Sequence, residues 1–284
     1  MRVGLITFSQ IATFLIVLSL GLPISSEAGV FWAEDFENHL TPNWDTSACG
    51  GSPQDGCNPG ISTTFATSGS HSLHSSYHCT EGLTSATGGC GTYIVRLHPN
   101  SQDVYMRWKM NLQNFTVNPL AGSKMMYNKC CDGNNFMTFW HIFPGQNYLS
   151  AQVIPDSNAA NFQFFCPSLG RNDQGCNYYP NVAAININDN QWHCIETHVG
   201  TGTPGTQTGI IEIWVDGRLS MSYPNIWVAH YTGGLFNDLT HYAQLGDGDR
   251  YIDDLVVSNT RIGCSGSPSA DTTPPSAPLG LAIR

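Results

Sequence analysis

The chain concentrates its cations. It holds 11 Lys and Arg in 284 residues. Setting Arg2 aside leaves ten. Five of these, Arg96, Arg107, Lys109, Lys124 and Lys129, fall between positions 96 and 129, where Asp103 is the only acid. Tyr105, Arg107 and Lys109 alternate along one stretch, and Tyr127 and Lys129 along another. Alternation at period two puts each set on one face of a strand. Cations beside phenols, with His141 and Gln152 following, suit removal of a proton next to a carboxylate, the first step of β-elimination at a uronic acid. A cation or amide neutralises the carboxylate and so acidifies the neighbouring C–H, while a Tyr or His moves the proton. On this reading Arg107 and Lys129 neutralise charge, and Tyr127 and His141 act as base and acid. Tyr105, Lys109 and Gln152 contact the substrate. The same residues also suit a solvated strand face, or a face that binds sugar without chemistry.

A second group comprises Glu196, His198, Glu212 and Trp214. A carboxylate beside an imidazole tunes it toward neutrality, and the indole of Trp214 is a platform for a sugar ring. The alternative is an ordinary solvent-facing sheet. His71, His74 and His78 share no fixed face and read as surface residues.

These side chains need strands to present them. Trp192–Val199 and Ile210–Gly217 are two runs of β-branched and aromatic residues around a Gly/Thr/Pro linker, which is a long hairpin. Ile195, Thr197 and Val199 share one face, with Ile211, Ile213 and Val215 as their counterparts. Asp216-Gly217 supplies a tight turn into a third strand, Leu219–Tyr223. Further strands are expected over 29–39, 61–77, 93–97, 103–112, 124–129 and 161–166. A hairpin over 136–143 and 148–154 turns around Pro144-Gly145, and 251–258 closes the set. Residues 224–243 look irregular. No stretch past the N-terminus repeats apolar residues at helical spacing. About a dozen short strands with turn signals between them predict an all-β sandwich.

Composition agrees. Charged residues make up only 11%, with 29 Gly and 16 Pro, which favours short strands and turns over helices. The net charge of -10 argues against nucleic acid, which needs a basic footprint. Arg2, the apolar run to Leu22 and the small residues at Ser26 and Ala28 read as a secretory signal over 1–28, cleaved after Ala28; a membrane anchor is the alternative. The folded domain then spans 29–264, and 265–284 is a Pro/Ser/Thr-rich linker or tail. No membrane association is expected after cleavage.

The ten cysteines fit disulfides in an exported chain. Close spacing suggests Cys49–Cys57, Cys79–Cys90 and Cys166–Cys176. Cys130 and Cys131 are adjacent and go to different partners, with Cys194 and Cys264 left over to receive them. No C-x-x-C pair has the matching half that a zinc site needs.

Three pieces together carry a family likeness. The first is FWAEDFE (Phe31–Glu37) with Trp44, followed by SGSHSL (Ser68–Leu73). The second is W-x-C-I-E (Trp192–Glu196) with IEIWVDGRL (Ile211–Leu219). The third is YIDDLVVSNTRIG (Tyr251–Gly263). In that order they resemble the concanavalin A-like lectin/glucanase jelly rolls, in particular the secreted polysaccharide-lyase-like members. The resemblance implies a jelly-roll β-sandwich of two antiparallel sheets, one concave and holding a sugar chain. It implies an extracellular polysaccharide as the partner, with binding alone, as a carbohydrate-binding or adhesion module, as the alternative. A structural surface protein is a third reading. The E-x-D-x-x-E strand of glucanases is absent, because Trp214 stands where its middle acid would be. The Arg-Ser/Thr-Glu motif of several alginate lyases is absent too. First and last strands pair in such folds, and related modules hold a structural calcium near that junction. The resemblance therefore points to Asp35 or Glu37 with Asp253 or Asp254, plus backbone carbonyls, as Ca²⁺ ligands.

Overall fold

A computed structural model of the chain describes residues 29–38, 59–76, 81–84, 91–130, 137–154, 171–172, 175–203, 206–228 and 235–265. The strands are β1 (Val30–Glu34), β2 (Gly60–Ser62), β3 (Ser72–Ser76), β4 (Gly91–Ser101), β5 (Asp103–Thr116), β6 (Ser123–Cys130), β7 (Met137–Ile142) and β8 (Ser150–Ile154). They continue as β9 (Arg171–Asn172), β10 (Gly175–Tyr178), β11 (Trp192–Gly200), β12 (Gly209–Val215), β13 (Arg218–Ile226), β14 (Phe236–Gln244) and β15 (Asp247–Ser258). One helical turn, α1 (Glu81–Thr84), interrupts them.

Two antiparallel sheets form. The first runs β13-β12-β11-β5-β15-β3-β2, with β1 also paired to β15. The second runs β4-β14-β6-β7-β8-β10-β9. Period-two patterning decides which side of each strand enters the core. β5 buries Val104, Met106, Trp108, Met110 and Leu112 on one face, and β11 and β12 add Ile195, Val199, Ile211, Ile213 and Val215. Met126, Trp140, Ala151, Val153, Tyr178 and Leu239 meet them from the second sheet. This is a sandwich packed face to face.

The expected central hairpin is present, with Ile195 opposite Val215 and His198 opposite Glu212. Asp216 and Gly217 have φ of 51° and 76°, the paired left-handed geometry of a type I′ turn. The 136–154 hairpin is also present as β7 and β8. First and last strands pair, with Val30 opposite Ser258. The 224–243 segment departs from expectation. Its second half begins β14, which lies inside the second sheet between β4 and β6. Scattered Gly, Asn and His disguised a strand whose pairing comes from distant partners, which local patterning does not report.

Polar groups tie the sheets together through the core. Trp140 Nε1 donates to Asn128 Oδ1 at 2.9 Å, and Asn128 Nδ2 contacts Met106 Sδ at 3.5 Å. Arg250, fully buried on β15, donates to the Met125 carbonyl on β6 at 2.7 Å. At the sandwich edge Arg96 of β4 bonds Glu34 of β1 at 3.1 Å and lies 4.1 Å over the Trp32 ring.

After β15 the chain doubles back as a strap over the outer face of the first sheet. Ile262 N–H donates to Glu196 Oε1 at 2.6 Å, and Gly263 N–H reaches both Glu196 oxygens at 3.2 Å. Arg261 covers the Trp214 ring at 4.3 Å. Cys264 is bonded to Cys194. The pairing that assigned these two cysteines to Cys130 and Cys131 is therefore corrected. The two that spacing left over are brought together because the strap crosses β11. Cys176 is disulfide-bonded. Cys49, Cys57, Cys79, Cys90, Cys131 and Cys166 lie outside the described residues, as do the 161–166 strand, the 1–28 signal and all but Ser265 of the 265–284 tail.

Two stability predictions follow from these ties. Asn128→Ala leaves the buried Trp140 N–H without its acceptor, which costs about 1–3 kcal/mol; the midpoint of chemical denaturation should fall accordingly with unchanged slope. Replacing Cys194 and Cys264 together by Ser removes a closure of sequence separation 70. The loss should be on the order of 4 kcal/mol if it acts on the unfolded chain. Equal unfolding midpoints for the wild type and this pair would show that the strap holds without its bond.

Candidate functional site

The outer face of the second sheet gathers an aromatic and polar set from adjacent strands. Tyr127 on β6 faces Phe139 on β7, which faces Gln152 on β8, which faces Asn177 on β10. One step along, Lys124 on β6 pairs with His141 on β7, and Gln244 of β14 stands opposite Lys124 on its other side. None of these belongs to the sandwich core, yet Tyr127, Phe139, His141 and Gln152 are all buried.

Bond geometry defines the site. Lys124 Nζ donates to Gln244 Oε1 at 3.1 Å and lies 5.2 Å from the Phe139 ring centre. Tyr127 meets Phe139 edge to face at 5.2 Å. Gln152 Nε2 donates to Asn177 Oδ1 at 3.0 Å. Phe143 abuts the His141 ring at 3.7 Å, and Tyr179 packs on Phe143 at 4.9 Å. His141 is 3% exposed, and neither ring nitrogen has a hydrogen-bond partner among the described residues. Burial, reinforced by the Lys124 charge, holds its pKa down to about 3. Burial also lowers the Lys124 pKa. A neutral imidazole with two buried, unpaired nitrogens thus sits beside a cation, one row along from a phenol and an amide pair.

Of the sequence candidates, Tyr127, Lys129, His141 and Gln152 share this sheet. Lys129, half-buried, stands opposite Asp238 and Met137. Asn177 and Gln244 were not anticipated, and Lys124, one of the five clustered cations, was not placed on the Tyr127 face. A register shift between Lys124 and Met126 explains why. Met125 and Met126 are both fully buried, so a bulge returns Lys124 to the face of Tyr127, three residues away. Strict period two separates them. The adjacent methionines were the available signal.

Arg107, Lys109, Tyr105 and Trp214 are on the other sheet. The single patch expected from Arg107, Lys109 and Tyr105 with Tyr127 and Lys129 does not form. β5 does not hairpin onto β6. The 117–122 turn, where Asn118 Oδ1 caps the N–H groups of Leu120 and Ala121 and Gly122 takes φ 76°, carries the chain into the opposite sheet. The two polar faces point away from each other across the core.

The first sheet's outer face is internally compensated. Arg107 is 3% exposed, near Glu196 and Asp254, and reaches the Gly263 carbonyl at 3.4 Å. Tyr105 stacks on His198 at 4.0 Å. His198 bonds Glu212 at 2.9 Å and Asp103 at 3.1 Å. Trp214 is 7% exposed beneath Arg261, closed to a sugar ring.

The carboxylates expected to hold Ca²⁺ have other partners. β15 changes neighbours at Asp253–Asp254, pairing β3 through residues 249–252 and β1 from Leu255. Asp254 adopts φ 49° there. Asp253 Oδ2 accepts from Thr67 N–H and Ser68 N–H at 2.8 and 3.0 Å. Asp254 accepts from Ser68 Oγ at 2.7 Å and bonds Lys109 at 2.8 Å. Burial raises the Asp254 pKa, but these donors outweigh it and the net shift is downward. Asp35 caps the N–H of Glu37 at 3.1 Å. Among the described residues no three metal-capable side chains cluster. A Lys109 ammonium against Asp254 opposes a divalent cation, so this donor set does not fit one.

No protein-family model and no curated protein matches the chain. Solved structures do. An alginate lyase from a Chlorella virus superposes with TM-score 0.53 at 13% identity, covering 71% of this chain and 90% of its own. An endo-β-1,4-glucuronan lyase from the fungus Trichoderma reesei gives 0.52 at 12%, covering 82% and 96%. The T. cruzi calreticulin globular domain gives 0.51 at 11%, covering 82% and 89%. The fold is the jelly-roll sandwich that these lyases share.

The His198 environment predicts a pH dependence. Burial lowers its pKa, but its bonds to Asp103 and Glu212 outweigh burial and raise it. His193, between Asp216 and Asp189, is raised in the same way. A raised folded pKa adds stability that is complete below the unfolded value, about 6.5, and is lost as pH climbs through the folded value. The melting temperature should therefore decline from about pH 6.5 upward. His198→Asn should lower it overall and flatten the decline. A slope unaltered by this change would place the titration elsewhere.

Proposed function

We propose that this chain is an exported polysaccharide lyase. It binds a uronate-containing polymer across the outer face of its second sheet and cleaves it by β-elimination. The observation that carries the reading is His141, deeply buried with both nitrogens open beside Lys124, Tyr127 and the Gln152–Asn177 pair. A buried polar group without a partner is costly unless something completes it. The likeness to alginate and glucuronan lyases supports the reaction class. The apolar N-terminal run and the cysteines support export.

In this mechanism the uronate carboxylate lies against Lys124 with the Gln152–Asn177 amides beside it. Its negative charge offsets the lysine field on His141 and lets the imidazole accept a proton. The C5–H bond breaks toward the imidazole nitrogen, and its electrons pass into the carboxylate as an enolate held by Lys124. They return to form the C4=C5 bond as the C4–O bond breaks, and the leaving oxygen takes the Tyr127 hydroxyl proton. His141 returns its proton to the phenolate and closes the cycle. Lys129, at the end of the same strand, lies along the bound chain.

One observation favours the second reading, a non-catalytic binding module. A histidine held near pKa 3 is a weak base. The assay is incubation with alginate and with glucuronan, reading the ultraviolet band of unsaturated uronates. Activity is expected, with His141→Ala and Tyr127→Phe each losing about 100-fold or more. Lys124→Met should raise KM, while Arg107→Lys, on the opposite sheet, should leave turnover intact. Bound polymer with no unsaturated product would leave the binding module standing.

A further inference from the structure

His141 is covered as well as unpaired. Its row on the second sheet runs from Lys124 on β6 through His141 on β7 to Ser150 on β8. Tyr179 follows β10, one residue past Tyr178, which stands opposite Ala151. Lys124 is the charged group that acts on the imidazole, and Tyr127 stands one row along. Phe143 supplies the cover. It comes two residues after His141 on the same face, and its ring stands 3.7 Å from the imidazole with planes 67° apart. Phe143 is itself 8% exposed.

The Phe143 backbone is pinned. A Cβ on Gly122 would meet the Phe143 Cα at 3.0 Å, so the 117–122 turn lies directly against this point. The Gln146 N–H donates to the Phe143 carbonyl at 3.1 Å. The side chain is held differently. Pro144 and Gly145 next to it are exposed, so a rotated ring meets solvent there rather than core. Tyr179 is what retains the ring, packed on it at 4.9 Å with planes 45° apart. Tyr179 is fixed in turn. Its carbonyl accepts from the Tyr223 hydroxyl at 3.0 Å, and its own hydroxyl is bonded by the Asn177 side chain. The other end of that amide accepts from Gln152.

We infer that the Phe143 ring is a gate over His141 and Tyr179 its latch, released when a uronate carboxylate takes the Asn177 amide. The closed state works against itself. It buries two imidazole nitrogens that have no partner among the described residues. Such unmet groups cost free energy of the same order as burial of a phenyl ring contributes. Closed and open states therefore lie close together, and a weak interaction decides between them. The Tyr179–Asn177 bond is that interaction. The identity of the opening ligand rests on the elimination reading, in which the carboxylate lies against Lys124 with the Gln152–Asn177 amides beside it. The N–H that it recruits from Asn177 is the one that Tyr179 loses. The imidazole is thus uncovered as a negative charge arrives to offset Lys124. A neutral glycan brings no carboxylate and leaves the gate shut, so the latch selects for uronates.

The test reads access to His141 directly. The full chain is treated with diethyl pyrocarbonate, which acylates neutral imidazole, and each histidine is followed by peptide mass spectrometry. At about pH 7.5, above the ordinary histidine value, His141 is neutral with the gate open or shut, so the rate reports access alone. Phe143→Ala should raise the rate at His141 at least about tenfold. Tyr179→Phe keeps the ring packing and removes only the bond to Asn177, and should raise it about threefold. His98, buried on β4 with its Nε2 also unpaired, should be labelled at one rate in all three proteins. Equal labelling of His141 in all three overturns the proposal, as does a parallel rise at His98, which would mean general loosening. Turnover of alginate and glucuronan is read on the same samples. Tyr179→Phe should lower KM about threefold, and an unchanged KM overturns the link between latch and carboxylate. No unsaturated product from any sample sinks the elimination reading, while the labelling still decides the gate, so the two fail separately.

Discussion

Burial of one face of β5 against the opposite sheet is the constraint on which the molecule depends. Val104, Met106, Trp108, Met110 and Leu112 form the middle of the core, and all are at most 1% exposed. Each such side chain contributes roughly 1.5–3 kcal/mol on leaving water. Slipping β5 by one residue would turn all five outward together, so its register is fixed. That register dictates the other face. Tyr105, Arg107, Lys109 and Asn111 must lie on the outside of the first sheet, beside whatever β11 and β15 present. Arg107 thus meets Glu196, and Lys109 meets the Asp253–Asp254 bulge.

The two outer faces solve the problem of polar burial in opposite ways. Among the described residues of the first sheet, the buried Glu196, His198, Asp253 and Asp254 all have partners. Glu196 is fully buried yet receives N–H groups from Ile262 and Gly263, and His198 lies between two carboxylates. Removing one member would strand the others, which is how buried pairs become costly to break. This compensation comes largely from the chain's own C-terminal strap, and the face beneath it is structural. Among the described residues, no such closure surrounds His141 on the second sheet. Its imidazole stays neutral because burial and Lys124 forbid its charge, and its nitrogens keep their hydrogen-bonding capacity.

Much of the architecture was legible in the sequence. The 192–218 hairpin, the Asp216-Gly217 turn and the pairing of first and last strands all follow from periodicity, turn chemistry and family likeness, and each is present. Long-range pairing was not legible. β14 has weak local patterning and owes its place to β4 and β6. The strap looks like a loose end until Glu196 and Cys194 are brought beneath it. For the candidate site, Tyr127 and Lys129 were legible because their spacing obeys period two, and His141 and Gln152 were legible only as side chains of the right chemistry on the strands that follow. Lys124 was lost to a bulge. Arg107 and Lys109 were wrongly joined to that group because nearness in sequence stood in for nearness in space. The 117–122 turn breaks that link.

The same bookkeeping bears on which chemistry the carboxylates of the hairpin can perform. Hydrolysis by an acid pair requires one carboxyl free to donate and another free to attack or to activate water. Glu212 accepts from Ser222 and bonds His198, and these contacts lower its pKa further from that of a proton donor. Asp216 accepts from Cys194 N–H at 2.9 Å and bonds His193 at 2.8 Å, fastening the turn. Trp214 between them lies under Arg261. Every acid of this hairpin is therefore engaged in holding strands and strap together. An acid-pair mechanism would have to dismantle the contacts that position it. A base that must begin neutral, beside a cation and a phenol, is what the second sheet offers instead.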